Sequence, residues 1–278
     1  MNRHLSWFGI TSLTLGLAFM YLPILVLVIY SFNDSEMITL WSHPSLRWYE
    51  KLFTDGNYWG PAWTTLRISL VSSVLATVLG VMISLVVTRM RKFRGRSLFV
   101  GMTIAPLVLP EVITGLALLL LFIAMGVERG FMTVIIAHTT FAMCFVSVIV
   151  TARMAEFDMS TEEAARDLGC GPIMAFFHAT LPAILPAIVA AFLLAFALSL
   201  DNLVVTTFTT GPGITTLPMR VFSEIRTGVK PEINALSTIV ILLVTCVAIS
   251  SSLLTKRSAA KRAAETGSPP ATSQLASA

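Results

Sequence analysis

An all-α, polytopic membrane protein is predicted by three features of the sequence. Of its 278 residues, 55% are apolar and only 12% charged, against roughly 45–50% and about 25% in soluble domains. The apolar residues fall in runs long enough to cross a bilayer. The basic residues gather beside some of those runs and avoid others. Together these exclude a water-soluble enzyme, a disordered chain and a secreted disulfide scaffold. The net charge of +4 then reads as membrane topology and not as a nucleic-acid footprint.

A transmembrane helix needs about 20 apolar residues to cross ~30 Å of hydrocarbon. Six stretches qualify: residues 5–32, 62–88, 98–125, 131–150, 183–208 and 233–254. The first exceeds the apolar core of a signal peptide and no small-x-small cleavage site follows it, so it reads as a retained span. The third contains Pro106 and Pro110.

Loop charge orients the spans. Between the second and third lie Arg89, Arg91, Lys92, Arg94 and Arg96 with no acid. After the sixth come Lys256, Arg257, Lys261 and Arg262. The loop after the first span sets Arg47 and Lys51 against Asp34, Glu36, Glu50 and Asp55. Cytoplasmic loops retain Lys and Arg, so both termini and the 2–3 loop are expected in the cytoplasm. The 4–5 loop, residues 153–182, is then cytoplasmic too, yet it carries five acids against Arg153 and Arg166. That exception points to a partner. Residues 1–255 form one transmembrane domain, and the Ala/Ser/Pro-rich residues 256–278 are expected to be a disordered tail.

Within the 4–5 loop, Ser160 and Glu163 have the spacing of a capping box, which predicts a short helix from Thr161 to Leu168. Gly169 suits the left-handed residue that ends it. Gly171-Pro172 starts a second helix, which runs to Leu181-Pro182. Ala164 and Ala165 leave room for another protein's surface. Either this is a capped loop with no partner, or it is a docking element.

Chemistry elsewhere is sparse. Cys144, Cys170 and Cys246 and the four histidines form no metal-ligand pattern. None of the five lysines follows a glycine, so no phosphate-binding Gly-Lys-[Ser/Thr] exists. Arg67, Glu111 and Asp201 lie inside spans, where charge is costly and usually functional. At 1.5 Å per residue, Glu111 is roughly 20 Å from the start of its span if that helix is unbroken, and Asp201 roughly 22 Å from Pro186. The two acids either face a cation pathway or pair with Arg67 as a structural ion pair. His138 reads as a satisfied polar residue between helices.

Glu163-Ala164-Ala165, three residues, Gly169, then Leu181-Pro182 resembles the EAA loop of ABC importer permeases. Ala179 stands where that family often has Ile. Ser31-Phe-Asn-Asp-Ser, Arg47-Trp-Tyr, the segments 105–115 and 194–203, and Gly228-Val-Lys-Pro-Glu-Ile-Asn-Ala-Leu are similar to polyamine importer permeases, the putrescine type above the spermidine type. Asp201-Asn202 replaces two consecutive acids common in relatives. The resemblance implies a type I importer permease in the bacterial inner membrane, not itself an enzyme, with no cofactor or metal. Its implied partners are a second permease, two ATPase chains, a periplasmic binding protein, a polyamine and membrane lipid, but no nucleic acid. Glu163, Ala164, Ala165, Gly169, Leu181 and Pro182 become the ATPase-coupling residues, and Asp201, Asn202, Glu111 and Arg67 candidates for the pathway. Rival expectations are an importer permease for another small solute, or a secondary transporter working alone.

Overall fold

The structure, a computed structural model, describes residues 7–242 apart from residues 38, 39, 55, 91 and 229, together with residue 245. The described residues are almost entirely helical, with one isolated bridge between Asn33 and Pro44. They divide into two compact units.

The larger unit spans residues 57–223. Its framework is three long apolar helices: α3 (Trp59–Arg89), α6 (Phe131–Ala155) and α9 (Leu181–Leu200). They meet along small residues, with Ala76, Ala142, Ala191 and Ala195 buried among Val146, Val150 and Ile184. Lipid is as apolar as a leucine side chain, so helices in a bilayer gain by close approach and not by hiding oil from water. Gly80 is the extreme case. A Cβ there would stand 2.6 Å from Val146 Cβ. Hydroxyls join the same seam: Ser84 Oγ donates to the Ser147 carbonyl at 3.0 Å, and Ser72 Oγ lies 3.0 Å from Ser199 Oγ.

Two of the expected spans are broken. The stretch 98–125 is two helices, α4 (Arg96–Val108) and α5 (Glu111–Ala124), bent by 117°. Pro110 has no N–H to give and pushes the residue before it out of helical dihedrals; Leu109 is extended, with ψ 139°. Pro106, by contrast, is accommodated inside α4. The stretch 183–208 is also interrupted. After α9, residues 201–203 are non-helical before α10 (Val204–Thr209). At its other end α9 is prolonged, through a π turn at Phe176–Thr180, from α8 (Pro172–Ala175). Gly115 lets Phe208 of α10 lie on α5, where a Cβ would be 2.7 Å from that ring.

The smaller unit joins residues up to Gly56 with those from Glu224 onward. Its first helix, α1 (Trp7–Tyr30), has no buried residue, as befits a lipid-facing span. Beyond it, Asn33 organises a loop. Its amide donates to the Leu40 carbonyl at 2.6 Å and accepts from Ser42 N–H at 2.9 Å. Trp48 on the amphipathic α2 (Arg47–Thr54) donates to the Asn33 carbonyl at 2.7 Å. α2 carries Lys51, which pairs with Glu232 at 2.5 Å. α11 (Leu217–Thr227) precedes α12 (Glu232–Leu242). The rest of the sixth expected span and the 256–278 tail lie outside the described residues. Among the described residues four helices are long and apolar enough to cross a membrane, and the α4–α5 pair, bent by 117°, has the form of a broken span or a re-entrant loop.

Gly80→Ala is expected to force α3 from α6 and cost about 1–3 kcal/mol, the usual penalty of overpacking. The apparent melting temperature of the detergent-purified protein should fall. Gly16→Ala, with nothing within 4 Å of the added Cβ, should leave it unchanged.

Candidate functional site

The elbow between α6 and α9 begins with a cap. α7 spans Ser160–Asp167. The capping box expected from Ser160 and Glu163 is not formed, because Asp158 takes the role. Its carboxylate accepts from the Ser160 amide at 3.0 Å and from the Ser160 hydroxyl at 2.8 Å. Ser160 thus becomes the first helical residue, and Glu163 has no capping task. The Ser160 amide, and then its hydroxyl, hold the Asp158 carboxyl below the ordinary carboxylate range. A lowered carboxyl stabilises the fold above its ordinary value, so this cap persists at neutral pH and is lost only as pH falls through the lowered value.

The end of α7 follows expectation. Gly169 has φ +93°. Its amide bonds the Arg166 carbonyl at 2.9 Å and the Cys170 amide bonds that of Ala165 at 3.2 Å, the pairing of a Schellman stop. Gly171 then caps α8, with Pro172 in its first turn.

Glu162 and Glu163 are adjacent yet face opposite ways. Glu162 is buried. Its carboxylate pairs with Arg89, the last residue of α3, and accepts from the Thr180 hydroxyl. Arg89 also donates to Thr180 Oγ1 at 3.2 Å and to Met159 Sδ at 2.7 Å. Thr180 is fully buried at the end of the π turn. An extra residue in a helical turn rotates the side chains that follow, and the turn leaves Thr180 facing Glu162. One carboxylate therefore ties the elbow to both α3 and the entry of α9. Sequence reading missed Glu162 because the coupling motif begins at Glu163. The available signal was a second acid, one turn beyond Asp158 and next to Glu163, with an unpaired-looking Arg89 at the end of an apolar span.

Glu163 and Ala164 are exposed, Ala165 half-buried and Gly169 exposed. Glu163, Arg166, Asp167, Cys170 and Pro172 line a surface groove. Large apolar side chains border this face: Leu168 is 88% exposed and Ile173 74%. Leu181 packs against the α3–α6–α9 core, and Pro182 lies in the first turn of α9.

The charges within the spans are not brought together. Arg67 is exposed and its guanidinium lies 5.6 Å from the Phe131 ring centre. Among the described residues it forms no ion pair with Glu111 or Asp201. Glu111 is half-buried in the first turn of α5, just past the break at Pro110. The 20 Å depth reckoned along an unbroken helix therefore does not apply to it. The straight count does hold for Asp201, since α9 is continuous to Leu200. Asp201 is exposed at the C-terminal end of α9, and Asn202 is buried with Oδ1 accepting from the Val205 amide at 2.9 Å. A carboxylate beside the negative end of a helix dipole repels it, so Asp201 and the last α9 carbonyls form a negative spot suited to a cation. His138, as expected, is a buried and satisfied polar residue, bonded to Ser199 and Thr206.

Comparison with known proteins agrees with this architecture. Residues 76–263 match the family described as binding-protein-dependent transport system inner membrane component. The putrescine transport system permease protein of Escherichia coli (strain K12) is 46% identical over 238 residues, covering 84% of this chain and 85% of that one. The spermidine/putrescine transport system permease protein of Haemophilus influenzae is 36% identical over 240 residues, covering 86% and 93%. Among solved structures, a bacterial ABC transporter that imports alginate aligns with TM-score 0.67 at 16% identity, covering 89% of this chain and 93% of that one. The inward-facing MetNI methionine ABC transporter aligns at 0.57 and 18%, covering 75% and 97%. The fold is that of ABC importer permeases.

Arg89→Ala would leave the Glu162 carboxylate buried with Thr180 alone. A loss of about 2–3 kcal/mol is expected, somewhat below a fully buried pair because Arg89 is partly exposed. Replacing both partners, Arg89→Met with Glu162→Leu, should cost less than Arg89→Ala. Apparent melting temperatures of the parent and the two purified variants give the comparison.

Proposed function

The chain belongs to the family of binding-protein-dependent transport system inner membrane components, and we propose that it is the permease subunit of an ATP-driven importer of putrescine or spermidine. The observation that carries the substrate class is the 46% identity to a putrescine permease across 84% of the chain. In this reading the chain sits in the inner membrane beside a second permease. It receives its cargo from a periplasmic binding protein and is driven by two ATPase chains. The absence of a Gly-Lys-[Ser/Thr] sequence fits a subunit that does not hydrolyse ATP itself.

The elbow faces the cytoplasm, in line with the basic α3–α4 connection on the same side. Glu163, Ala164, Ala165 and Gly169 form the face that an ATPase chain holds. Closure of the ATPase pair moves α7. The buried Glu162 passes that movement to Arg89 at the foot of α3 and to Thr180 at the foot of α9, and Leu181-Pro182 begins the span that receives it. The spans then rock between an outward and an inward cavity.

A polyamine is a flexible chain with two or more ammonium groups. Its desolvation in the membrane is offset by carboxylates and by helix ends of negative sign. Asp201 supplies both together, and Asn202 shapes the turn that presents it. Glu111 and Arg67, which the fold does not bring to Asp201, are secondary candidates for the pathway.

In the reconstituted complex, Glu163→Ala should lower polyamine-stimulated ATP hydrolysis about tenfold, equivalent to ~1.4 kcal/mol. Gly169→Pro should abolish stimulation, since proline cannot adopt φ +93°; full stimulation in both variants contradicts the coupling role. Asp201→Asn should slow putrescine uptake about tenfold while the complex still assembles; uptake unchanged at every concentration removes Asp201 from the pathway.

A further inference from the structure

The expected span 183–208 has a gap in its backbone ladder. α9 ends at Leu200 and α10 begins at Val204. Two rigid helices joined by three non-helical residues swing about several dihedrals unless something outside the chain's own ladder holds them. Inside a membrane, freed backbone groups also need partners from neighbouring helices.

His138 of α6 lies across that gap. Its Nδ1 is 2.7 Å from Ser199 Oγ, in the last turn of α9, and its Nε2 is 2.8 Å from Thr206 Oγ1, in α10. Both hydroxyls and the imidazole are buried. The direction of the bonds is determined by their far end. Thr206 donates to the Asn202 carbonyl, which can only accept. Thr206 Oγ1 therefore receives the Nε2 proton, and Nδ1 accepts from Ser199. Ser199 is held in turn by Ser72 of α3 at 3.0 Å. A neutral imidazole has one donor and one acceptor, and both are used here on opposite sides of the break. The chain of bonds thus runs from α3 through α9 and α6 to the Asn202 carbonyl, next to Asp201.

We infer that His138 is the positioning residue for Asp201: by bonding Ser199 and Thr206 together it sets the angle between the halves of the broken span and so the place of the Asp201 carboxylate. It does not touch the cargo. The inference rests on the reading of Asp201 as the group that meets the ammonium. A histidine that merely filled space would leave the gap as ordered when replaced by leucine. A brace would not.

The test uses the assembled transporter in lipid, with His138→Leu, His138→Gln and each of these combined with Asp201→Asn. Hydrogen exchange across residues 199–207 reads the brace, and putrescine uptake in proteoliposomes reads its consequence. His138→Leu should speed exchange in that segment about tenfold, the signature of a local opening made easier. It should raise KM about five- to tenfold, and add less than about twofold when Asp201 is already asparagine, because coupled sites are non-additive. His138→Gln keeps a polar contact to one side of the break and should fall between parent and leucine variant; it carries the test if the leucine variant does not assemble. Unchanged exchange overturns the brace. Faster exchange with a KM effect that multiplies fully with Asp201→Asn overturns the positioning of Asp201. Asp201→Asn with parental uptake overturns the reading beneath, and the exchange result then still decides whether His138 braces the break.

Discussion

The ion pair between Glu162 and Arg89, with Thr180 sharing the same carboxylate, ties the elbow to α3 and α9, and the proposed working of this chain depends on it. α7 is only two turns long, far below the length at which a helix holds itself in water. In the proposed coupling role its outer face must also stay bare for a partner, so it cannot be stabilised from that side. The only remaining anchor is inward, and a buried carboxylate shared by two other elements is stiff in a way that apolar contact is not. A lever gripped at one end moves a machine only if the other end is bolted down.

From that bolt the route into the membrane is short. Arg89 ends α3, and α3 packs along α6 and α9 through alanines, serines and Gly80. Small residues give close backbone contact and leave no soft side chains to absorb a displacement. The same helices meet again around Ser72, Ser199 and His138, next to the interruption at 201–203. The two regions thus differ in kind: a charged clamp at the elbow between α6 and α9, and a neutral hydroxyl–imidazole network beside the interruption at 201–203. Within lipid, a neutral network avoids the desolvation that a buried charge would cost.

Much of this was legible in the sequence and some was not. Long apolar runs predicted the long helices, because a fixed bilayer thickness demands about 20 apolar residues per crossing. Gly169 was legible as a stop, since left-handed backbone favours glycine. The cap was misassigned: Ser160 has the right spacing, but Asp158 lies two residues earlier and a carboxylate is the stronger acceptor. Pro106 and Pro110 look alike in sequence, yet only the second breaks its helix. No proline marks the break at Asp201–Leu203; it is held by His138, sixty residues away in the chain, which no local signal reveals. The motifs Ser31–Ser35 and Arg47–Tyr49 were seen as separate signatures, and only the fold shows that Trp48 bonds Asn33. Glu162 lies outside the Glu163-Ala164-Ala165 motif because it faces inward.

The central claim is that the elbow between α6 and α9 is held by an ATP-hydrolysing chain. The most direct measurement places a photocrosslinking amino acid at Leu168, on the exposed face of that elbow, and irradiates intact cells and membranes prepared from them. The account predicts capture of an ABC ATPase chain, identified by mass spectrometry, with a yield that changes between ATP-bound and nucleotide-free membranes. Labelling of that position by a membrane-impermeant reagent added from the periplasm, with no ATPase captured, would contradict it.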